Sequence, residues 1–119
     1  MAFSLICLIK EREVLMNYIV LDLEWNQSAD GKAYTNSRIP FEIIQIGAVK
    51  LDENFSEISQ FDRYIRPAVY TKLHDKVQEI LNVTIEELTC IGHDFTDVAN
   101  DFIRWCGDDY IFAHGDRLT

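Results

Sequence analysis

Glycine and proline are scarce, five and two in 119 residues, which excludes collagen-like, linker-like and low-complexity chains. Cysteine is sparse and unpatterned. Cys7, Cys90 and Cys106 form no C-x-x-C, and three thiols cannot all pair, so a reduced, cytoplasmic chain is expected, with the cysteines as core fillers. Positive charge is short as well: 11 Lys and Arg face 20 Asp and Glu, giving a formal net charge of -9 and a pI of about 4.6. A protein that grips nucleic acid by bulk electrostatics is thereby disfavoured, and any such partner must be held locally. Long apolar runs are missing too. Ala2 to Ile9 is too short to span a bilayer, lacks a basic region before it and a small-residue cleavage site, and runs straight into Lys10-Glu11-Arg12-Glu13.

What is present suits one compact globular domain. Hydrophobic residues make up 48% and aromatics 12%, and at this length about two-thirds of the unfolded chain's surface can be hidden. Met16 directly precedes the first convincing strand, so residues 1–15 are left as an unassigned N-terminal extension and 16–119 as the domain.

Residues 17–23 (NYIVLDL) are β-branched and aliphatic and lead into a polar loop from Asn26 to Ser37 that holds Asp30-Gly31. Residues 41–52 predict a second strand, Asp52-Glu53-Asn54 a turn, and residues 55–66 a third strand in meander. After Pro67 the period changes. Leu73, Val77, Ile80 and Leu81 form the stripe of an amphipathic helix. Thr84-Ile85-Glu86-Glu87 supplies the capping box of a short helix, and Phe95, Val98, Phe102 and Trp105 mark another that Gly107 is placed to stop. Residues 110–113 predict a fourth strand, parallel to the first because a helical crossover leads to it. The charge is uneven: Arg63, Arg66, Lys72 and Lys76 cluster in 61–76, whereas 86–109 holds seven acids against Arg104. Solvated faces account for both.

Asp22 and Glu24 are two apart on the most apolar strand, so both carboxylates leave one face with Val20, while Ile19, Leu21 and Leu23 take the other. Acid-x-acid alone is weak, since about three such pairs arise by chance at this acidic content. Position lifts this one. Like charges at the end of a buried strand repel and lose hydration unless a cation neutralises them, and oxygen-only ligands favour Mg²⁺ or Mn²⁺; a solvated strand end is the competing reading.

Three segments, Tyr18 to Trp25 (YIVLDLEW), Phe41 to Val49 (FEIIQIGAV) and Phe61-x-x-Tyr64-Ile65-Arg66-Pro67, resemble the DEDD 3′-to-5′ exonucleases, DnaQ-like members of the DEDDh type. Ile80-Leu81-Asn82-Val83-Thr84 with Leu88, and Phe102-x-x-Trp105-x-Gly107, continue the likeness over residues 17–113 in the family's order. The subgroup most similar is that of Eri-type exoribonucleases and KapD-like proteins. The resemblance implies an α/β, ribonuclease H-like mixed sheet, three antiparallel strands plus a parallel one, flanked by helices. It also implies hydrolysis of terminal phosphodiesters at the 3′ end of single-stranded RNA or DNA, with RNA favoured. Asp22 would bridge two divalent ions and Glu24 bind one, with Leu23, Trp25 and Asn26 lining the pocket for the 3′-terminal nucleotide.

The family's second motif fits less cleanly. Residues 113–119 read AHGDRLT, where three positions beyond Gly115 is Leu118 and four is Thr119, so Asp116 stands as a displaced candidate for the third ligand. His114 occupies the position before the motif's glycine and reads as positional rather than as a base; His74 and His93 read as surface residues. No H-x-x-x-x-D follows, so the chain is expected to be a partial domain, weak or inactive alone, with apolar sheet surface inviting a homo-oligomer. A non-catalytic nucleic-acid- or protein-binding module on the same scaffold is the alternative, and an acidic structural domain without a ligand a weaker third.

Overall fold

The computed structural model describes residues 17–108 and 110–114. Four strands, β1 (Asn17–Asn26), β2 (Glu42–Leu51), β3 (Glu57–Tyr64) and β4 (Tyr110–His114), form one sheet in the order β3-β2-β1-β4. β1 pairs antiparallel with β2, β2 antiparallel with β3, and β4 parallel with β1. Helices α1 (Asp75–Leu81), α2 (Ile85–Ile91) and α3 (Phe95–Cys106) make the crossover that a parallel fourth strand requires. The mixed sheet and its meander stand as expected; β1 runs three residues further than its aliphatic stretch, through Trp25 and Asn26.

Alternation sorts the sheet into two faces. Ile19 and its face-mates pack with Ile46, Ala48 and Phe61 against Val98 and Cys106 of α3, with Leu21, Leu23, Phe102 and Trp105 joining them. Phe61 meets Phe102 edge-on at 5.3 Å between centroids, and Phe102 stacks on Phe112 of β4 at 6.4 Å. A second, smaller core gathers Ile44, Leu73 and Leu88 with Tyr64, Val77, Leu81 and Ile85. Tyr64 lies opposite Gln45, which lies opposite Glu24, so α1 and α2 pack beside the carboxylate face at the Glu24 end. The break in register between Glu24 and Trp25 makes this possible: it leaves Ile44 as an extra residue on β2, wholly buried, its carbonyl accepting from Ile65 N at 2.8 Å.

The helix signals hold with two exceptions. Thr84 Oγ1 accepts from Glu87 N at 3.1 Å, completing its cap, and Gly107 closes α3 at φ 70°. Ile80, however, is exposed, since Leu73, Val77 and Leu81 already fill the space under Ile44. His74 is not a bystander on the surface: it is the N-cap of α1, its Nδ1 accepting from Lys76 N at 3.3 Å.

Gly92 shows the closest backbone approach. A Cβ there would stand 2.6 Å from both Arg66 N and Leu88 O, where His93 O accepts from Arg66 N and Tyr64 O from His93 N. Gly92→Ala is expected to cost about 3 kcal/mol, because neither contact is a flexible side-chain tip that can yield. Urea denaturation checks it; an unchanged midpoint would mean that the α2–β3 junction is looser than drawn.

Candidate functional site

Asp22 and Glu24 sit side by side on the face opposite α3. The register puts Gly47 across from Asp22 and Asp62 across from Gly47, with Gln45 beside Glu24. Side chains of directly paired residues share a face, so Val20, Asp22, Glu24, Gln45, Gly47, Val49, Gln60 and Asp62 line one open cleft of about 330 Å³. Gly47 keeps its floor low: a Cβ at that position would rest 3.4 Å from the Asp22 carbonyl oxygen. Gln45 Nε2 donates to Asp62 Oδ1 at 2.8 Å, holding that carboxylate two strands away from Asp22. Among the described residues no three of His, Cys, Asp and Glu converge on one point, so the pair Asp22 and Glu24 is the nucleus of any cation site here.

A roomier cavity of about 560 Å³ lies elsewhere, among Phe41, Ile43, Ile65 and Phe95. Of the acids on its wall, Asp94 is paired with Arg66 at 2.7 Å, Glu42 is taken up by the backbone N–H groups of 68–70, and Asp97 stands in the first turn of α3.

The three residues expected to line the nucleotide pocket are not in the carboxylate cleft. Leu23 points to the α3 face and packs against that core. Trp25, beyond the bulge, is paired with Ile43 and borders a separate hollow with Gln27 and Phe41. Asn26 is wholly buried; its Nδ2 donates to Lys72 O at 3.0 Å and its Oδ1 accepts from His74 N at 2.9 Å, so it ties the end of β1 to the start of α1. The alternation places Leu23 correctly opposite the acids, but the bulge and the amide's two backbone partners are invisible in the spacing. His114 lies opposite Leu21, on the face away from the carboxylates. Asp116 lies outside the described residues, as do Cys7 and residues 1–15.

One further polar residue belongs to the frame of the site. Glu42, buried and paired with Asn26, accepts from Ala68 N (2.8 Å), Val69 N (2.9 Å) and Tyr70 N (3.4 Å). Together Asn26 and Glu42 clasp the 68–74 segment against the end of β1. The signal was there: Glu42 falls on the buried parity of Ile44, Ile46 and Ala48, where an unmatched carboxylate is costly.

The cysteines divide. Cys90 is exposed, not a core filler, whereas Cys106 is buried as expected. Burial pushes the Cys106 thiol up, with Lys50 pulling the other way. The raised value means that this thiol favours folding below the ordinary thiol range, and that the contribution fades as pH climbs through its folded pKa. At pH 8 iodoacetamide is expected to label Cys90 well before Cys106, read by peptide mass mapping; equal rates would contradict the packing of α3 on the sheet.

The family model described as Exonuclease matches residues 19–118. No curated protein matches the chain. Among solved structures, cell-death related nuclease 4 (CRN-4) is 20% identical with a TM-score of 0.65, the match covering 87% of this chain and 36% of that one. The nuclease domain of 3′hExo, a DEDDh family member bound to rAMP, is 20% identical with a TM-score of 0.64, covering 84% and 50%. A 3′-exonuclease in 3′-end specific recognition of histone mRNA stem-loop is 17% identical with a TM-score of 0.65, covering 87% and 37%. This chain therefore spans half or less of the length of these three proteins, and at such identities the likeness is one of fold. That fold is the ribonuclease H-like exonuclease sheet, with an acid-x-acid pair on β1, and a family match over most of the sequence lies on top of it. The chain belongs to the exonuclease family.

Proposed function

We propose that this chain carries out, or is built to take part in, metal-dependent 3′-to-5′ hydrolysis of terminal phosphodiesters in single-stranded nucleic acid, RNA before DNA. The observation that carries this reading is the pairing of Asp22 and Glu24 on one open face, opposite a side-chain-free Gly47. An all-oxygen, doubly negative donor set in a shallow cleft suits Mg²⁺ or Mn²⁺ and no softer metal. Asp22 and Glu24 would hold the cations, Asp22 shared between two, with Asp116 as the candidate third ligand. Divalent cations bound there supply charge stabilisation at the attacking and leaving oxygens of an in-line displacement. They also offset the repulsion that a chain of net charge -9 exerts on a polyanion. The preference for RNA draws support from the rAMP and the histone mRNA stem-loop met by two proteins of this fold.

The reading takes turnover by this chain alone to be weak, and a second reading, a binding module without chemistry, uses the same cleft. A 5′-labelled ten-nucleotide RNA incubated with Mn²⁺ separates them. Hydrolysis gives a ladder that shortens from the 3′ end; a binder retards the strand without a ladder; neither effect would contradict both. A cytoplasmic location, argued from three unpatterned cysteines, and association of a second copy over Tyr18, Val20 and Val49, half-buried on the carboxylate side, belong to the same proposal. Among the described residues no helix is long and apolar enough to cross a membrane.

A further inference from the structure

We propose that the β1–β2 loop, residues 27–41, with Trp25 at its root, is a track for single-stranded nucleic acid upstream of the cleft. The inference rests on the exonuclease reading only for where the 3′ end sits. The loop departs from β1 after Asn26, two residues beyond Glu24 and the bulge. The loop and its root together expose three aromatic rings, Trp25 (46%), Tyr34 (72%) and Phe41 (56%), within 17 residues. Between them stand exposed Lys32 and Arg38 against one acid, Asp30, which itself faces Lys72 Nζ at 3.4 Å. On a chain of net charge -9 this is a local reversal of sign. Aromatic faces interleaved with cations are what a single strand needs, since bases stack without regard to sequence and phosphates take the charge.

The space fits. One hollow of about 480 Å³ lies among Gln27, Lys32, Phe41 and His74, and a second of about 360 Å³ among Trp25, Gln27 and Phe41. They share Gln27 and Phe41 and so adjoin. The loop is also pre-set. Tyr70 Oη lies 2.9 and 3.0 Å from the carbonyls of Ile39 and Pro40, to which it donates, and accepts from Asn36 N at 3.2 Å. Asn36 Oδ1 accepts from Arg38 N and Ile39 N, and residues Lys32–Tyr34 form a 3₁₀ turn. Little ordering remains to be done when a strand arrives. A protein partner with an apolar face would use the rings but not the cations.

Fluorescence anisotropy with oligouridylates of two and eight nucleotides, in Ca²⁺, tests this. The longer strand is expected to bind at least tenfold more tightly. Phe41→Ala should remove roughly tenfold of that, by loss of one stacking platform. The double variant Lys32→Gln/Arg38→Gln should flatten the salt dependence of the longer strand by about 0.7 per lost phosphate contact. Dinucleotide binding and Mn²⁺ stabilisation should stay as in the parent. If Phe41→Ala disturbs folding, Phe41→Leu keeps the packing and loses the ring. Equal affinity for both lengths, or an unaltered eight-nucleotide affinity and salt slope in these variants, overturns the track. Should the length dependence persist while Mn²⁺ binding ignores Asp22→Asn, the catalytic reading falls and the track stands.

Discussion

Asp22→Asn is expected to remove the Mn²⁺-dependent rise in melting temperature and to lower any 3′-end shortening about a thousandfold. The exchange keeps size and shape and takes away one of the two adjacent carboxylates of β1, on a face where no three ligands converge among the described residues. A ligand that binds only the folded state at a hundred times its Kd adds about 2.7 kcal/mol of stability, so the loss of site affinity registers as a vanished thermal shift. Cation stabilisation of a phosphoryl transfer is worth several kcal/mol, and each 1.36 kcal/mol is tenfold in rate, hence the size of the activity loss. Glu24→Gln should weaken Mn²⁺ binding in the same direction. A variant that melts and binds Mn²⁺ like the parent would detach the metal from β1 altogether.

Glu42→Ala is expected to destabilise the fold by about 3 kcal/mol. Three backbone N–H groups, of Ala68, Val69 and Tyr70, lose their shared acceptor in a half-buried place, and an orphaned donor costs about 1 to 3 kcal/mol. At about 4 to 8 °C per kcal/mol for a domain of this size, the melting temperature should fall by about 12 to 24 °C. Glu42→Gln, which keeps one acceptor oxygen, should lose markedly less. Because Asn26 grips the same segment through Lys72 O and His74 N, the damage should spread to the wall beside Glu24. A calorimetric scan decides it, and equal melting of Glu42→Ala and the parent would mean that water satisfies the 68–70 amides.

Much of this architecture was legible because its signals are local. The alternation of residues 19–24 tells which side chains share a face, and the register with Gly47 and Asp62 agrees with it. Thr84 and Gly107 announce helix ends through chemistry that needs no distant partner. What escaped notice depends on residues far apart in sequence. The resemblance gives Asn26 a ligand-facing role, and its backbone partners at Lys72 and His74, more than forty positions away, leave no mark on the local sequence. The resemblance puts Trp25 beside the 3′-terminal nucleotide, and the bulge that turns it from the Asp22 and Glu24 cleft toward Phe41 is a property of β1 and β2 together, not of either alone. His74 looked idle for want of a visible helix start, since histidine is an uncommon cap. Glu42 was passed over as one acid in an aliphatic strand, although its parity marked it as buried.

The central claim is that Asp22 and Glu24 together hold a divalent cation. Crystals grown in MnCl₂ and measured for anomalous scattering test it most directly. The account predicts a peak about 2.1 Å from carboxylate oxygens of both residues. A peak bound to neither of them, or an absence of manganese at saturating concentration, would contradict it.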